Sequence, residues 1–167
     1  MVDILAAETG WDICNMGQNG REIPAAAPTF PADTDLLIVM LGTNDLLQGR
    51  SPEQAAGRLE RFLSGVSMDR SKVLLIAPPP VTLGAWVSSP QLIDDSCTFA
   101  RLCQALAEQL GTRFAMPGNG TSPWPTTASI LRSRGTEPLP PDFWRYSNET
   151  NIPLFAVIPI AADGCGG

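Results

Sequence analysis

Two apolar runs of the sequence, separated by a helix-forming segment, constrain the fold more than any other feature. Residues 35–41 (DLLIVML) and 72–77 (KVLLIA) are continuous apolar stretches bounded by polar or turn-forming residues. Continuous apolar strands are typical of parallel sheets, because helices cover both faces of such sheets. Between the two runs, residues 51–54 (SPEQ) have the pattern of a capping box with proline at the first helical position. The sequence therefore predicts a βαβ unit.

Weaker patterns extend this unit on both sides. Residues 2–8 have a helical pattern, residues 12–15 suggest a short strand, and a later helix is expected to be capped by Asp94 or Asp95. The order of elements predicts an α/β fold with a doubly wound parallel sheet, whose sites form in loops after the strands. The residues expected on the apolar stripes of the two long helices are Ala55, Leu59, Phe62, Leu63 and Val66, and Phe99, Leu102, Cys103, Leu106 and Leu110.

Composition excludes several classes of function. The chain has 11 Lys+Arg against 17 Asp+Glu, a net charge of −6, which argues against binding to nucleic acid or to an anionic membrane surface. No apolar run is long enough to span a bilayer, and no basic residue precedes an apolar stretch at the N-terminus, so we expect a cytoplasmic protein without a signal peptide. The 4 cysteines match no metal-ligand spacing, so we expect no metal and no cofactor.

The chain contains no histidine. This absence excludes mechanisms that depend on an imidazole, including the Ser-His-Asp and Cys-His arrangements and His-ligated zinc.

Two loops carry residues suited to stabilising negative charge. Residues 15–20 (NMGQNG) follow the first predicted strand, and residues 42–45 (GTND) follow the most apolar one. An asparagine amide and a glycine backbone N–H can both donate to one oxygen, as in an oxyanion hole. Asparagine and glycine are also ordinary turn formers, and either loop alone favours that interpretation. Two such loops at equivalent strand ends favour a functional site.

With these loops, the chain resembles the SGNH (GDSL-type) hydrolases, a family of serine esterases and acyl hydrolases, over residues 5–115. It is most similar to the arylesterase-like intracellular branch. The family's second block, an asparagine followed five residues on by a glycine, corresponds to Asn15 and Gly20, and its G-x-N-D block contains Asn44. The resemblance implies a three-layer, flavodoxin-like parallel sheet, an oxyanion hole made by Gly20 and Asn44, and a small ester or acyl compound as ligand. The residues expected to line or shape the same site are Asn15, Asn19, Thr43 and Asp45.

The chain departs from the family pattern where the nucleophile and base belong. The family's GDS block would precede Asn15, but no serine occurs among the fourteen residues before it. The D-x-x-H block has no counterpart besides Asp163, because histidine is absent. We therefore expect the chain to be catalytically inactive. The alternatives are a pseudoenzyme that binds an acyl or carboxylate ligand, or a flavodoxin-like binding module without hydrolase ancestry.

Residues 116–167 differ in character from residues 1–115, which form the partial hydrolase-like domain. The tail holds 8 of the 16 prolines and no clear helical or strand periodicity up to Thr150. If the sequence from Met116 onward is back-translated and its codons are read one base earlier, the permitted residues include a family-like ending with D-G-V-H-F. A stop codon is permitted near Asn148. This pattern favours a frameshift and a poorly structured tail, and a divergent Pro/Gly-rich tail is the alternative.

A missing first strand has a structural consequence. In the SGNH order 2-1-3-4-5, that strand would lie between residues 12–15 and residues 35–41. The open edges would leave backbone groups unpaired at about 1–3 kcal/mol each, so we expect the isolated chain to fold poorly. Residues 153–160 could fill the gap, although Pro159 makes them a poor central strand.

Overall fold

The computed structural model describes residues 11–84, 87 and 89–116, together with the backbone of residues 156–161. The elements in chain order are β1 (Asp12–Ile13), β2 (Thr34–Met40), α1 (Thr43–Leu47), α2 (Pro52–Ser64), a 3-10 turn (Arg70–Lys72), β3 (Val73–Ile76), α3 (Pro90–Leu110), β4 (Arg113–Ala115) and β5 (Ala156–Ala161). The helix expected over residues 2–8 lies outside the described residues.

The strands form a single five-stranded sheet in the order β1-β5-β2-β3-β4. β3 pairs in parallel with β2 on one side and with β4 on the other, with Leu37 opposite Val73 and Leu74 opposite Arg113. β5 is antiparallel to both β1 and β2. The molecule is therefore an α/β protein in which three neighbouring strands, β2, β3 and β4, are parallel, as the apolar runs predicted, whereas β5 is antiparallel to its neighbours.

Burial on both faces explains the continuous apolar composition of the central strands. Residues on both faces of β2 are buried, including the successive residues Leu37 and Ile38, and all of β3 is buried. One face packs on α2 and α3, whose buried apolar side chains form one cluster with Leu37, Val39 and Leu75. The described residues thus supply the sheet and one helical layer of the expected three-layer arrangement.

The two long helices begin with the same local device. Ser51 accepts a hydrogen bond from Gln54 N while the Gln54 side chain accepts from Ser51 N, which confirms the predicted capping box. α3 begins at Pro90 with Ser89 as its cap, so the expected start at Asp94 or Asp95 is wrong. The Ser-Pro pair repeats the signal that opens α2, because proline at the first helical position has its φ already fixed.

Most residues of the predicted helical stripes are buried. The fully or largely buried ones are Ala55, Leu59, Phe62, Leu63, Val66, Phe99, Cys103 and Leu106. Leu102 and Leu110 are half-buried at the margin of this layer. None of the helices in the described part of the chain is both long and apolar enough to cross a membrane.

β5 occupies the position between β1 and β2, where the sequence predicted a gap. It covers Ala156–Ala161, close to the residues 153–160 that were considered for this role, and Pro159 stands opposite Leu37. The rest of the tail, residues 117–155 and 162–167, lies outside the described residues, and the frameshift and the poorly structured tail stay predictions. The expectation of poor folding likewise stays a prediction.

Candidate functional site

The two candidate loops lie at the same edge of the sheet. β1 and β2 both run antiparallel to β5, so they point in the same direction and their carboxyl ends share one edge. The first loop follows Ile13, and the second begins at Gly42 after β2. A hydrogen bond of 2.9 Å from Asn44 Nδ2 to the Arg21 carbonyl oxygen joins them. The structure therefore brings Asn44 next to the residue that follows Gly20.

Gly20 is exposed and has a left-handed backbone, with φ of 74°. A residue with a Cβ rarely adopts this conformation, which explains why glycine ends the NMGQNG loop. Among the described residues, no acceptor receives the Gly20 backbone N–H. Gly20 directly precedes Arg21, whose carbonyl accepts from Asn44.

Asn44 is buried in the first turn of α1. Its side-chain amide carries two N–H bonds, and the Arg21 carbonyl accepts one of them. The bond to Arg21 fixes the orientation of the amide plane, and the second N–H remains available as a donor. Amide and backbone N–H groups of this kind are the donors that oxyanion holes use.

Gly42 sets the direction in which the chain leaves β2. Its φ is 117°, and a Cβ at this position would overlap the ring of Phe99. Gly42 is also the residue before α1, and its carbonyl accepts the N–H of Leu46 at 3.2 Å. The backbone therefore turns into α1 directly under α3, which places Asn44 at the sheet edge.

Asp45 lies beneath the loop, with a side chain that is 0% exposed. Its Oδ2 accepts the backbone N–H of Ile23 at 2.8 Å. Its Oδ1 lies 3.0 Å from Arg58 Nε and 3.4 Å from Arg50 Nε, contacts that are ion pairs by distance without hydrogen-bond geometry. Burial raises the pKa of Asp45 above its ordinary value, and the Ile23 hydrogen bond and the two arginines oppose this shift.

The remaining predicted site residues lie in the two loops. Asn15 Oδ1 accepts the N–H of Gly17 at 2.9 Å, a local turn that shapes the first loop. Asn19 is exposed next to Gly20, and Thr43 is half-buried as the first residue of α1. All of the predicted residues therefore belong to one end of the sheet, with Asp45 below the surface.

Sequence reasoning missed Glu22, Arg50 and Arg58. Glu22 Oε2 lies 2.8 Å from Arg50 Nη2 and 3.1 Å from Arg58 Nη2, so one carboxylate joins both arginines. One sequence signal was available, because Arg58 falls at helical spacing between Ala55 and Phe62 on the buried stripe of α2. A charge at that position indicates a partner of opposite charge.

The described residues supply a backbone N–H at Gly20 and a side-chain amide at Asn44, both of which can donate to an oxygen atom. They offer no imidazole, because the sequence has no histidine. The chemistry of the described site is therefore recognition of an oxygen atom that carries partial or full negative charge.

Comparison with protein families finds a match to the GDSL-like lipase/acylhydrolase family over residues 1–137. Comparison with curated proteins finds no match. Among solved structures, a protein assigned as an arylesterase from Agrobacterium tumefaciens str. C58 shares 31% identity, with 57% of this chain and 51% of that chain covered and a TM-score of 0.46. The native aryl esterase of M. Smegmatis shares 29% identity (50% and 46% covered, TM-score 0.38). Est24, a carbohydrate acetylesterase from Sinorhizobium meliloti, shares 27% (51% and 46% covered, TM-score 0.39). The match spans about half the length of each of these structures.

Proposed function

This chain belongs to the GDSL-like lipase/acylhydrolase family, and we propose that its described part is the oxyanion-binding portion of an SGNH-type carboxylic ester hydrolase. Gly20 and Asn44 are the two donors. The observation that carries the proposal is the hydrogen bond from Asn44 Nδ2 to the carbonyl of Arg21, which holds one amide N–H in place next to Gly20 and leaves the other available. The family match is evidence against a flavodoxin-like module without hydrolase ancestry.

The 167-residue chain is proposed to bind a small ester or acyl compound without hydrolysing it. A serine hydroxyl is a weak nucleophile unless a base removes its proton, and in this family pattern the base is a histidine. The chain has none. Oxyanion donors alone lower the energy of a developing charge but do not supply the attacking atom.

The test combines turnover with ligand binding in the full 167-residue chain. We expect p-nitrophenyl acetate to hydrolyse no faster than in buffer, and benzoate, which presents a carboxylate oxygen, to shift the ¹⁵N–¹H resonances of Gly20 and of the Asn44 side chain. Turnover that co-purifies with the chain and disappears in Asn44→Asp would refute inactivity. Benzoate without effect on either resonance would refute the proposed site.

Asn44→Asp is the informative variant because it keeps the shape of the side chain and replaces the amide donors with a carboxylate. It is expected to abolish benzoate binding, since the new carboxylate repels the carboxylate of benzoate and donates no hydrogen bond. Gln48→Glu is the matched control, because Gln48 is an exposed amide side chain at the C-terminal end of the same helix, α1, and was not assigned to the site. Equal losses in the two variants would indicate a general charge effect instead of a specific donor.

A separate measurement addresses the reading frame. Resequencing the gene from upstream of codon 1 through codon 150 is expected to reveal a GDS block before Asn15 and one missing or extra base near codon 115. An unaltered sequence would leave the pseudoenzyme as the proposed function. Either way, Gly20 and Asn44 remain the proposed oxyanion donors.

A further inference from the structure

Two of the three residues that follow Gly20, Arg21 and Ile23, are held at three of their backbone atoms by side chains from α1 and α2. The Arg21 carbonyl accepts from Asn44 Nδ2, and the Ile23 N–H donates to Asp45 Oδ2. The Ile23 carbonyl accepts from Arg58 Nη2. These three contacts restrain the backbone on the C-terminal side of Gly20, and through it the direction of the Gly20 N–H.

The side chains that hold Ile23, those of Asp45 and Arg58, also form ion pairs with each other and with Glu22 and Arg50. Arg58 contacts Asp45 Oδ1 through Nε at 3.0 Å and Glu22 Oε2 through Nη2 at 3.1 Å. Arg50 makes the equivalent pair, with Nε 3.4 Å from Asp45 and Nη2 2.8 Å from Glu22. Two carboxylates and two guanidinium groups thus form a closed cluster of zero net charge under the loop.

We propose that the Asp45–Arg58–Arg50–Glu22 cluster is a positioning device for the oxyanion hole, in which the two carboxylates hold the arginines so that Arg58 and Asp45 fix Ile23 and thereby orient the Gly20 N–H beside Asn44. None of the four side chains donates to the ligand. The inference rests on the proposed function of Gly20 and Asn44 as oxyanion donors.

Burial makes the cluster interdependent. Asp45 is 0% exposed, and a buried carboxylate is tolerated only when opposite charge and hydrogen bonds compensate its loss of hydration. Glu22 is 25% exposed and contacts Arg50 and Arg58, while its own backbone lies between the anchored Arg21 and Ile23. A change at Glu22 therefore reaches the loop through the arginines that hold Asp45.

Glu22→Gln gives the decisive experiment because two explanations predict opposite signs. The substitution makes the cluster more positive, so simple electrostatic attraction predicts tighter binding of benzoate. A positioning role predicts weaker binding, by about threefold, because a neutral amide holds the arginines less firmly. The measurement is the benzoate dissociation constant from the Gly20 and Asn44 resonances of the folded full-length chain. Tighter or unchanged binding would overturn the inference.

Arg58 provides a second series with a conservative partner. Arg58→Gln is expected to weaken benzoate binding about tenfold, since it removes the ion pairs to Asp45 and Glu22 and a hydrogen bond to the Ile23 carbonyl. Arg58→Lys is expected to restore part of the affinity because it keeps the charge. The control is Arg61→Gln on the same helix, which removes an exposed positive charge whose Nε donates within α2 to the Gly57 carbonyl.

The outcomes separate the inference from the proposal that it rests on. Benzoate that shifts neither resonance in the wild-type chain refutes the oxyanion function itself. Benzoate that binds the wild type with unchanged affinity in Arg58→Gln, or with equal losses in Arg58→Gln and Arg61→Gln, refutes the positioning role alone. If Arg58→Gln does not fold, the sign of the change in Glu22→Gln still decides.

Discussion

Gly42→Ala tests the geometry that carries the chain from β2 into the site. At φ of 117° an alanine backbone is strained, which costs about 1–3 kcal/mol. The new Cβ would also overlap the Phe99 ring, which is 1% exposed and cannot move into solvent without opening the core. Overpacking of this kind costs about 1–3 kcal/mol more. We therefore expect a loss of about 2–6 kcal/mol in the free energy of unfolding, against a typical total of about 5–15 kcal/mol.

Urea unfolding followed by circular dichroism at constant pH measures this loss as a change in midpoint at constant slope. Gly57→Ala is the matched control, because Gly57 lies inside α2 and an added Cβ there meets no atom within 4 Å. It is expected to stabilise the chain by about 0.5–1 kcal/mol through lower flexibility of the unfolded state. The two alanine substitutions should thus have opposite signs.

Phe99→Leu separates the two contributions at Gly42. In a double-mutant cycle, the smaller Leu should relieve the overlap but leave the backbone strain, so Gly42→Ala should cost less in the Phe99→Leu background. A Gly42→Ala variant within about 0.5 kcal/mol of the wild type would refute both the left-handed conformation and the Phe99 contact. Equal costs in the two backgrounds would refute the contact alone.

Three further predictions concern capping, thiol burial and pH. Ser51→Ala should lower stability by about 1 kcal/mol in urea unfolding because it removes the α2 cap, whereas Ser64→Ala, at the other end of the same helix, should change it little. Iodoacetamide at mildly alkaline pH should label the exposed Cys14 and leave Cys103 intact in mass spectra of the folded chain, since burial raises the pKa of Cys103 to about 12; equal labelling would contradict its burial. Burial raises the pKa of Asp45 above its ordinary value of 3.8, so its contribution to stability is complete below that pH and decreases as the pH rises through the folded-state pKa. The free energy of unfolding of the wild type minus that of Asp45→Asn should therefore decrease as the pH rises over this interval. A value that increases with pH would contradict the direction of the shift.

The parts of the fold that the sequence predicted are those with strong local signals. The apolar run at residues 35–41 forms β2, and the SPEQ segment forms the capped start of α2. Each signal is contained in a few consecutive residues, so it can be recognised in the sequence. The start of α3 was misplaced at Asp94 or Asp95 although Ser89 and Pro90 carry the same signal. Asp94 and Asp95 are also favourable N-cap residues, and Pro90 also suits a loop, so the local sequence offers two possible starts for this helix.

The candidate site divides in a similar way. Gly20 and Asn44 stand in short motifs after strands, and an α/β sheet is expected to bring loops after its strands to one end. The charged cluster did not, because its members are distant in sequence: Arg50 meets Glu22 across 28 positions. Pairing of this kind follows no sequence periodicity, so it becomes visible only when the fold brings these residues together. The single local indication, Arg58 on the apolar stripe of α2, shows that a buried polar partner exists but not which residue it is.

The position of β5 shows why a missing strand need not leave open edges. The expectation of a gap rested on the missing first strand and on Pro159 as a poor residue for a central strand, but backbone N–H and C=O groups of a strand of either direction can pair there. Pairing of β5 with β1 involves only Asp12 with Ala161 and Ile13 with Ile160, so β1 ends where Pro159 would be its next partner. Pro159 faces Leu37 on the other side, and a proline there removes at most one N–H from the β2–β5 ladder. A short extended segment with proline at that register can therefore pair with both neighbours, which is why Pro159 does not exclude a central position.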